Sequence, residues 1–145
     1  MHHVPRQLTA DELAALFEGR TRFVERLAAC ADPLAEARTL LARLPEEEQR
    51  EALNAHPPIG AGRLSAASAR EQGREDDPEV LAELARLNRA YEAKFGFRFV
   101  VFVNRRPRSE ILRLLRARIT HTPEEELRTG LDELVSIALD RYRSR

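Results

Sequence analysis

With one exception, every long apolar pattern in this 145-residue chain repeats at intervals of three or four positions, the spacing that stacks side chains on one face of an α-helix. Leu13, Leu16 and Phe17 make the first stripe, Phe23, Leu27 and Cys30 the second, and Leu34, Ala37, Leu40, Leu41 and Leu44 the third. The longest runs from Pro78 to about Phe95. There Val80, Leu81, Leu84, Leu87, Tyr91 and Phe95 form a continuous apolar face with Glu and Arg opposite, as expected of the core axis. Ile111, Leu112, Leu114 and Leu115 follow, and the chain closes on Leu131, Leu134, Val135, Ala138 and Leu139. The exception is Phe99-Val100-Val101-Phe102-Val103, an unbroken β-branched and aromatic run that taken alone reads as a buried strand. No second strand exists to pair with it. The expectation is therefore an all-α fold, a single domain over residues 1–145 with about eight helices. Residues 99–103 are then an extended segment packed between helices, its backbone groups satisfied by side chains or by a ligand.

The helix boundaries are written in the chain. Thr9-Ala10-Asp11-Glu12 is a capping box, with Gly19 expected to stop the helix it opens. Thr21 caps the second helix and Asp32-Pro33 starts the third. Pro45 with Glu46, Glu47 and Glu48 opens the fourth, where negative charge suits the helix dipole. Residues 65–74 read as a short helix, Asp76-Asp77-Pro78 as a break, and Ser109 as the cap of the next helix. Thr122-Pro123-Glu124-Glu125 combines cap, first-turn proline and box glutamate for the last.

Charge excludes several functions. Lys and Arg total 24 against 24 Asp and Glu, and the two signs are interspersed, which argues against nucleic acid or anionic membrane as partner. Arg113, Arg116 and Arg118 are the nearest approach to a basic recognition face and read as the solvated side of a helix. Lys94 is the single lysine, so Schiff-base chemistry has one candidate. The single cysteine, Cys30, lies on an apolar stripe and reads as a core thiol. No apolar run reaches the roughly 18 residues of a membrane span, and the N-terminus lacks the features of a signal peptide. A cytoplasmic location is expected.

The chemistry concentrates in Asn54-Ala55-His56-Pro57-Pro58-Ile59-Gly60-Ala61-Gly62 and, shortly after, Ser68-Ala69-Arg70-Glu71-Gln72. Pro57 pushes His56 out of helical backbone angles, so the imidazole is offered from a stiff loop. Gly60 and Gly62 let a ligand approach the main chain closely. Ser68 and Glu71 fit a capping box and equally a ligand-binding helix start, because free amides there bind anions. His2, His3, His56 and His121 stand too far apart for metal-ligand spacing, so no metal is expected. Gly60-Ala61-Gly62 lacks the rest of a phosphate-binding fingerprint, and no nucleophile elbow is present. General acid–base work by His56 and Glu71 remains.

At these residues the chain resembles the 2-oxo-4-hydroxy-4-carboxy-5-ureidoimidazoline (OHCU) decarboxylase family. Three motifs fall in order: an HPxxG loop at His56–Gly60, an SxxEQ element at Ser68–Gln72, and an FGxPF segment at Phe95–Phe99 running on into Val103. The resemblance implies an all-α, often dimeric enzyme without cofactor or metal, which makes (S)-allantoin from the ureidoimidazoline in urate breakdown. It also implies His56 as catalytic histidine with Glu71 working beside it. Pro57, Ser68, Ala69, Arg70, Glu71 and Gln72 would bind substrate, and the main chain of Phe99, Val100, Val101, Phe102 and Val103 would line its ring. Two positions depart from the pattern. Arg98 stands where the family usually has proline, which leaves room for a looser pocket wall, and Asn104 stands where many members have a basic residue. The rival reading is a non-catalytic helical module that keeps the scaffold and binds a purine breakdown product or a partner enzyme.

Overall fold

A computed structural model describes residues 7–58 and 77–144, and in them the chain is helical with no strand. Seven α-helices are present: α1 (Ala10–Phe17), α2 (Arg22–Ala28), α3 (Pro33–Arg43), α4 (Glu46–Asn54), α5 (Pro78–Phe95), α6 (Arg108–Arg118) and α7 (Pro123–Arg143). The eighth expected helix, at 65–74, lies outside the described residues. The predicted caps of α1 and α7 form as full capping boxes, Thr9 with Glu12 and Thr122 with Glu125. Thr21 accepts from the Val24 N–H, and Asp77 from that of Glu79. Ser109 does not cap α6: the helix begins at Arg108 behind Pro107, whose ring already sets the backbone entry angle.

α7 packs against α1, α3 and α4, α2 against α1, α3 and α4, and α5 against α6. Among the described helices α2 and α7 thus share α1, α3 and α4 as neighbours, while α5, the expected axis, packs chiefly against α6. The approach of α7 to α4 is close enough that a Cβ at Gly130 would stand 3.2 Å from Leu53 Cδ2. Cys30 sits two residues beyond the end of α2, half-buried, and burial pushes its thiol pKa up, so it stays protonated.

Two ends of helices depart from what their residues suggest. Glu18, not Gly19, takes the left-handed conformation that closes α1, with φ 65°. Such a backbone is uncommon outside glycine, and the Arg141 guanidinium holds the Glu18 carboxylate at 3.0 Å. Glu48, one of the three acidic residues that open α4, points inward at 4 % exposure and receives Arg26 through both Nε and NH2, at 2.7 and 3.0 Å. That pairing holds its carboxyl below the usual glutamate range.

The extended segment after α5 is built as the missing partner strand required. Gly96 turns the chain at φ 78°, and Phe95, Phe97 and Phe99 gather around Tyr91 with ring centroids 4.5 to 6.0 Å away. Side chains, not a strand, satisfy its backbone. Arg118 NH1 donates to Val100 O at 2.8 Å, Arg106 donates to Phe102 O and Val103 O at 2.7 and 3.0 Å, and the Phe102 N–H points to Glu133 Oε1 at 3.4 Å. Arg118, expected on a solvated face, is only 6 % exposed. It is buried because Glu126, fully enclosed at the start of α7, accepts from Arg118 Nε at 2.8 Å and from the Tyr91 hydroxyl at 2.6 Å, while His121 Nδ1 lies 2.8 Å from its other oxygen.

Removing one member of such a buried cluster leaves the others desolvated and unpaired. Glu126→Ala is predicted to lower unfolding free energy by about 3–5 kcal/mol in urea titration, with an unchanged denaturant slope. A loss below about 1 kcal/mol would show that the cluster is not what anchors the segment.

Candidate functional site

α4 ends where proline makes it end. The Ala55 N–H still reaches Glu51 O at 3.1 Å and the His56 N–H reaches Leu53 O at 3.1 Å, but Pro57 has no N–H to continue. His56 is thus the last residue tied to the helix. Its imidazole is half-buried, and its Nδ1 is shut off from solvent with no hydrogen-bond partner among the described residues. An imidazole nitrogen placed this way has a proton position left for a ligand.

Three charged side chains set its electrostatics. Arg141 of α7, 6 % exposed, donates to Leu16 O at 3.0 Å and pairs with Glu18, so the end of α1 is brought against the histidine loop. Arg98, at the head of the extended segment, donates through NH1 to the His56 carbonyl at 2.9 Å. Burial lowers the His56 pKa to about 4; Arg141 and Arg98 push in the same direction and Glu18 opposes them. His56 is therefore neutral at pH 7.

Of the residues expected at the site, His56 and Pro57 lie together on the loop, and Arg98 joins them to the segment 99–103. Phe99, Val100, Val101 and Val103 are buried at 5 % exposure or less, and Phe102 is half-buried. Their side chains belong to the core. Ser68, Ala69, Arg70, Glu71 and Gln72 lie outside the described residues, as do Ile59 to Gly62. At the first departure, Arg98 stays bonded to the end of α4. Its N–H donates to Asn54 Oδ1 at 2.9 Å, a bond proline cannot make. Asn104 has φ 49° and begins a turn with Arg105 at φ 63°; asparagine tolerates that backbone better than most residues, which explains its presence there.

Arg141 and Glu18 were not among the sequence candidates. The signal was available: Leu131, Leu134, Ala138 and Arg141 follow at three- and four-residue steps, so an arginine falls on the buried stripe of α7. A cavity of about 350 Å³, lined by Asn54, Glu92, Gly96, Phe97 and Arg98, opens where the histidine loop meets the segment. Another, of about 300 Å³ between α3, α4 and α7, contains no residue of the loop. Among the described residues no group of three His, Cys, Asp or Glu side chains could hold a metal ion, and no helix is long and apolar enough to cross a membrane.

Residues 3–143 match the family described as OHCU decarboxylase. Among characterised relatives, the 2-oxo-4-hydroxy-4-carboxy-5-ureidoimidazoline decarboxylase of Mus musculus is 35 % identical over 104 residues, covering 66 % of this chain and 58 % of its own. That of Haloferax volcanii is 33 % identical over 104 residues, covering 68 % and 62 %. The chain thus spans about three-fifths of the length of these relatives. A solved structure of an OHCU decarboxylase in the presence of (S)-allantoin superposes with a TM-score of 0.73 at 27 % identity, over 90 % of this chain and 94 % of that one. The structure of an (S)-allantoin synthase, 23 % identical with a TM-score of 0.69 over 93 % of this chain and 48 % of that one, shares the fold.

The depressed His56 pKa predicts a pH effect of known sign. An unfolded histidine titrates near 6.5, so between about pH 6.5 and 4 the unfolded chain binds a proton that the folded protein does not. The stability due to a neutral His56 is complete above 6.5 and is lost as pH falls toward 4. Thermal melts of the parent and His56→Asn across that window should converge as pH falls, because only the parent carries this loss. Parallel curves would contradict a buried neutral imidazole.

Proposed function

The chain belongs to the OHCU decarboxylase family, and on that membership we propose that it is a cofactor-independent carboxy-lyase converting 2-oxo-4-hydroxy-4-carboxy-5-ureidoimidazoline to (S)-allantoin in urate degradation. The observation that carries the reading is the His56 imidazole: half-buried, neutral at pH 7, with Nδ1 unpartnered among the described residues. Such a group can accept a proton and return one.

In the proposed reaction the substrate carboxylate leaves as CO2. The electron pair of the broken carbon–carbon bond passes through the neighbouring ring carbon to nitrogen, which takes one proton from solvent. The hydroxyl proton then goes to a base as the carbonyl forms, and a proton is delivered to the neighbouring carbon on one face, setting the S centre. His56 serves as that base: neutral at pH 7, its imidazole has a lone pair to take the hydroxyl proton. Glu71 orients it or holds a ring nitrogen. Pro57 and the element from Ser68 to Gln72 seat the substrate, and the main chain of Phe99 to Val103 lines its ring. The buried side chains behind that main chain exclude water, which strengthens hydrogen bonds to the developing charge and keeps protonation to one face. A homodimer, which rests on the family alone, and a cytoplasmic location belong to the same proposal.

His56→Ala and Glu71→Ala are each predicted to lower the decay rate of ureidoimidazoline, generated in situ from urate, by on the order of 10² to 10⁴, with helical circular dichroism unchanged. Turnover retained in His56→Ala would remove the assignment of that residue.

A further inference from the structure

Arg98 makes two bonds to the histidine loop that no proline at its position could make. Its main-chain N–H donates to Asn54 Oδ1 and its guanidinium NH1 to the His56 carbonyl, both at 2.9 Å. Asn54 is the last residue of α4, and His56 follows two positions later. Both bonds therefore land on the short piece of chain that presents the imidazole. The guanidinium is itself steadied by Glu92 of α5, at 3.5 Å from Nε. On the other side Arg98 is covalently fixed to Phe99, which is 3 % exposed with its ring 5.3 Å from that of Tyr91. One residue thus links the core-anchored segment to a loop that has just left its helix.

We propose that Arg98 is a positioning residue for the reaction at His56: it ties the histidine loop to the apolar wall through Asn54 Oδ1 and the His56 carbonyl, and so fixes where the imidazole stands relative to a substrate lying against that wall. The inference rests on the decarboxylase reading of the site. Arg98 acts through His56 and on the loop, so its effect falls on kcat more than on KM. Its charge also bears on the imidazole: with Arg141 of α7 it disfavours protonation, while Glu18 at the end of α1 favours it. A displaced or removed guanidinium therefore leaves a mark on His56 that can be read without substrate.

Three variants separate the two bonds. Arg98→Lys keeps a cationic donor, Arg98→Ala keeps only the main-chain bond, and Arg98→Pro removes both. The expected kcat order is parent, Lys, Ala, Pro, with Ala down about tenfold and KM changed less than threefold. In parallel, two-dimensional NMR follows the His56 imidazole, identified by its absence in His56→Ala; its pKa should rise in Arg98→Ala and stay near the parent value in Arg98→Lys. If Arg98 is only a brace, the variants will lower Tm while kcat and the His56 titration stay at parent values, and the proposal is overturned. If the parent itself has no turnover, the decarboxylase reading falls by that fact. The titration then still decides the tie, a rise in Arg98→Ala upholding it and an unmoved His56 overturning it.

Discussion

The fully buried carboxylate of Glu126 is the interaction on which the rest of the structure hangs. A charge in that position is tolerated only when its neighbours replace the water it has lost. Tyr91 of α5, Arg118 of α6 and His121 of the loop before α7 do so, all within 2.6 to 2.8 Å. Three consecutive parts of the second half of the chain are thereby pinned to one point. Burial and the bond to Glu126 push the Tyr91 hydroxyl pKa well above its ordinary value, so it stays a donor. Arg118 then spends NH1 on Val100 O and lies over the Phe99 ring, 4.6 Å from its centroid. A strand-like segment without a partner strand is thus held in the interior.

The same device recurs at carbonyls of loops and of a last helical turn. Arg106 takes the carbonyls of Phe102 and Val103, Arg141 that of Leu16, and Arg98 that of His56. A guanidinium presents several donors in one rigid plane, so it can serve a carbonyl and a carboxylate together, as Arg118 and Arg141 both do. The abundance of arginine over a single lysine, uninformative as composition, has this structural use. Burial first, and then Arg141 and Arg98, keep the His56 imidazole neutral.

Periodicity made the helices legible, and the capping residues at Thr9, Thr21 and Thr122 marked the starts of three of them, because both signals are local. The lone apolar run was also legible as an extended segment, since a strand with nothing to pair with must find other donors. What escaped was long-range. Arg118 carries charge, so it read as the solvated side of a helix, although Ile111, Leu115 and Arg118 share a helix face. Glu48 read as a dipole partner, and only Arg26 from another helix shows why it turns inward. At the site, Pro57 betrayed His56 because proline acts on its neighbour's backbone. Glu18 could not be found the same way, since its partner, Arg141, stands 123 residues later in the numbering.

In the proposed reaction an imidazole held neutral on a proline-stiffened loop is the base in a site that protonates one face of the decarboxylated ring. Chirality of the product reports on it most directly. Ureidoimidazoline would be generated from urate by the two upstream enzymes, this protein added, and circular dichroism of the product followed. Rapid growth of a signal for (S)-allantoin is the predicted result. Product formed no faster than spontaneous decay, and racemic, would contradict the claim and leave a helical binding module as the better description.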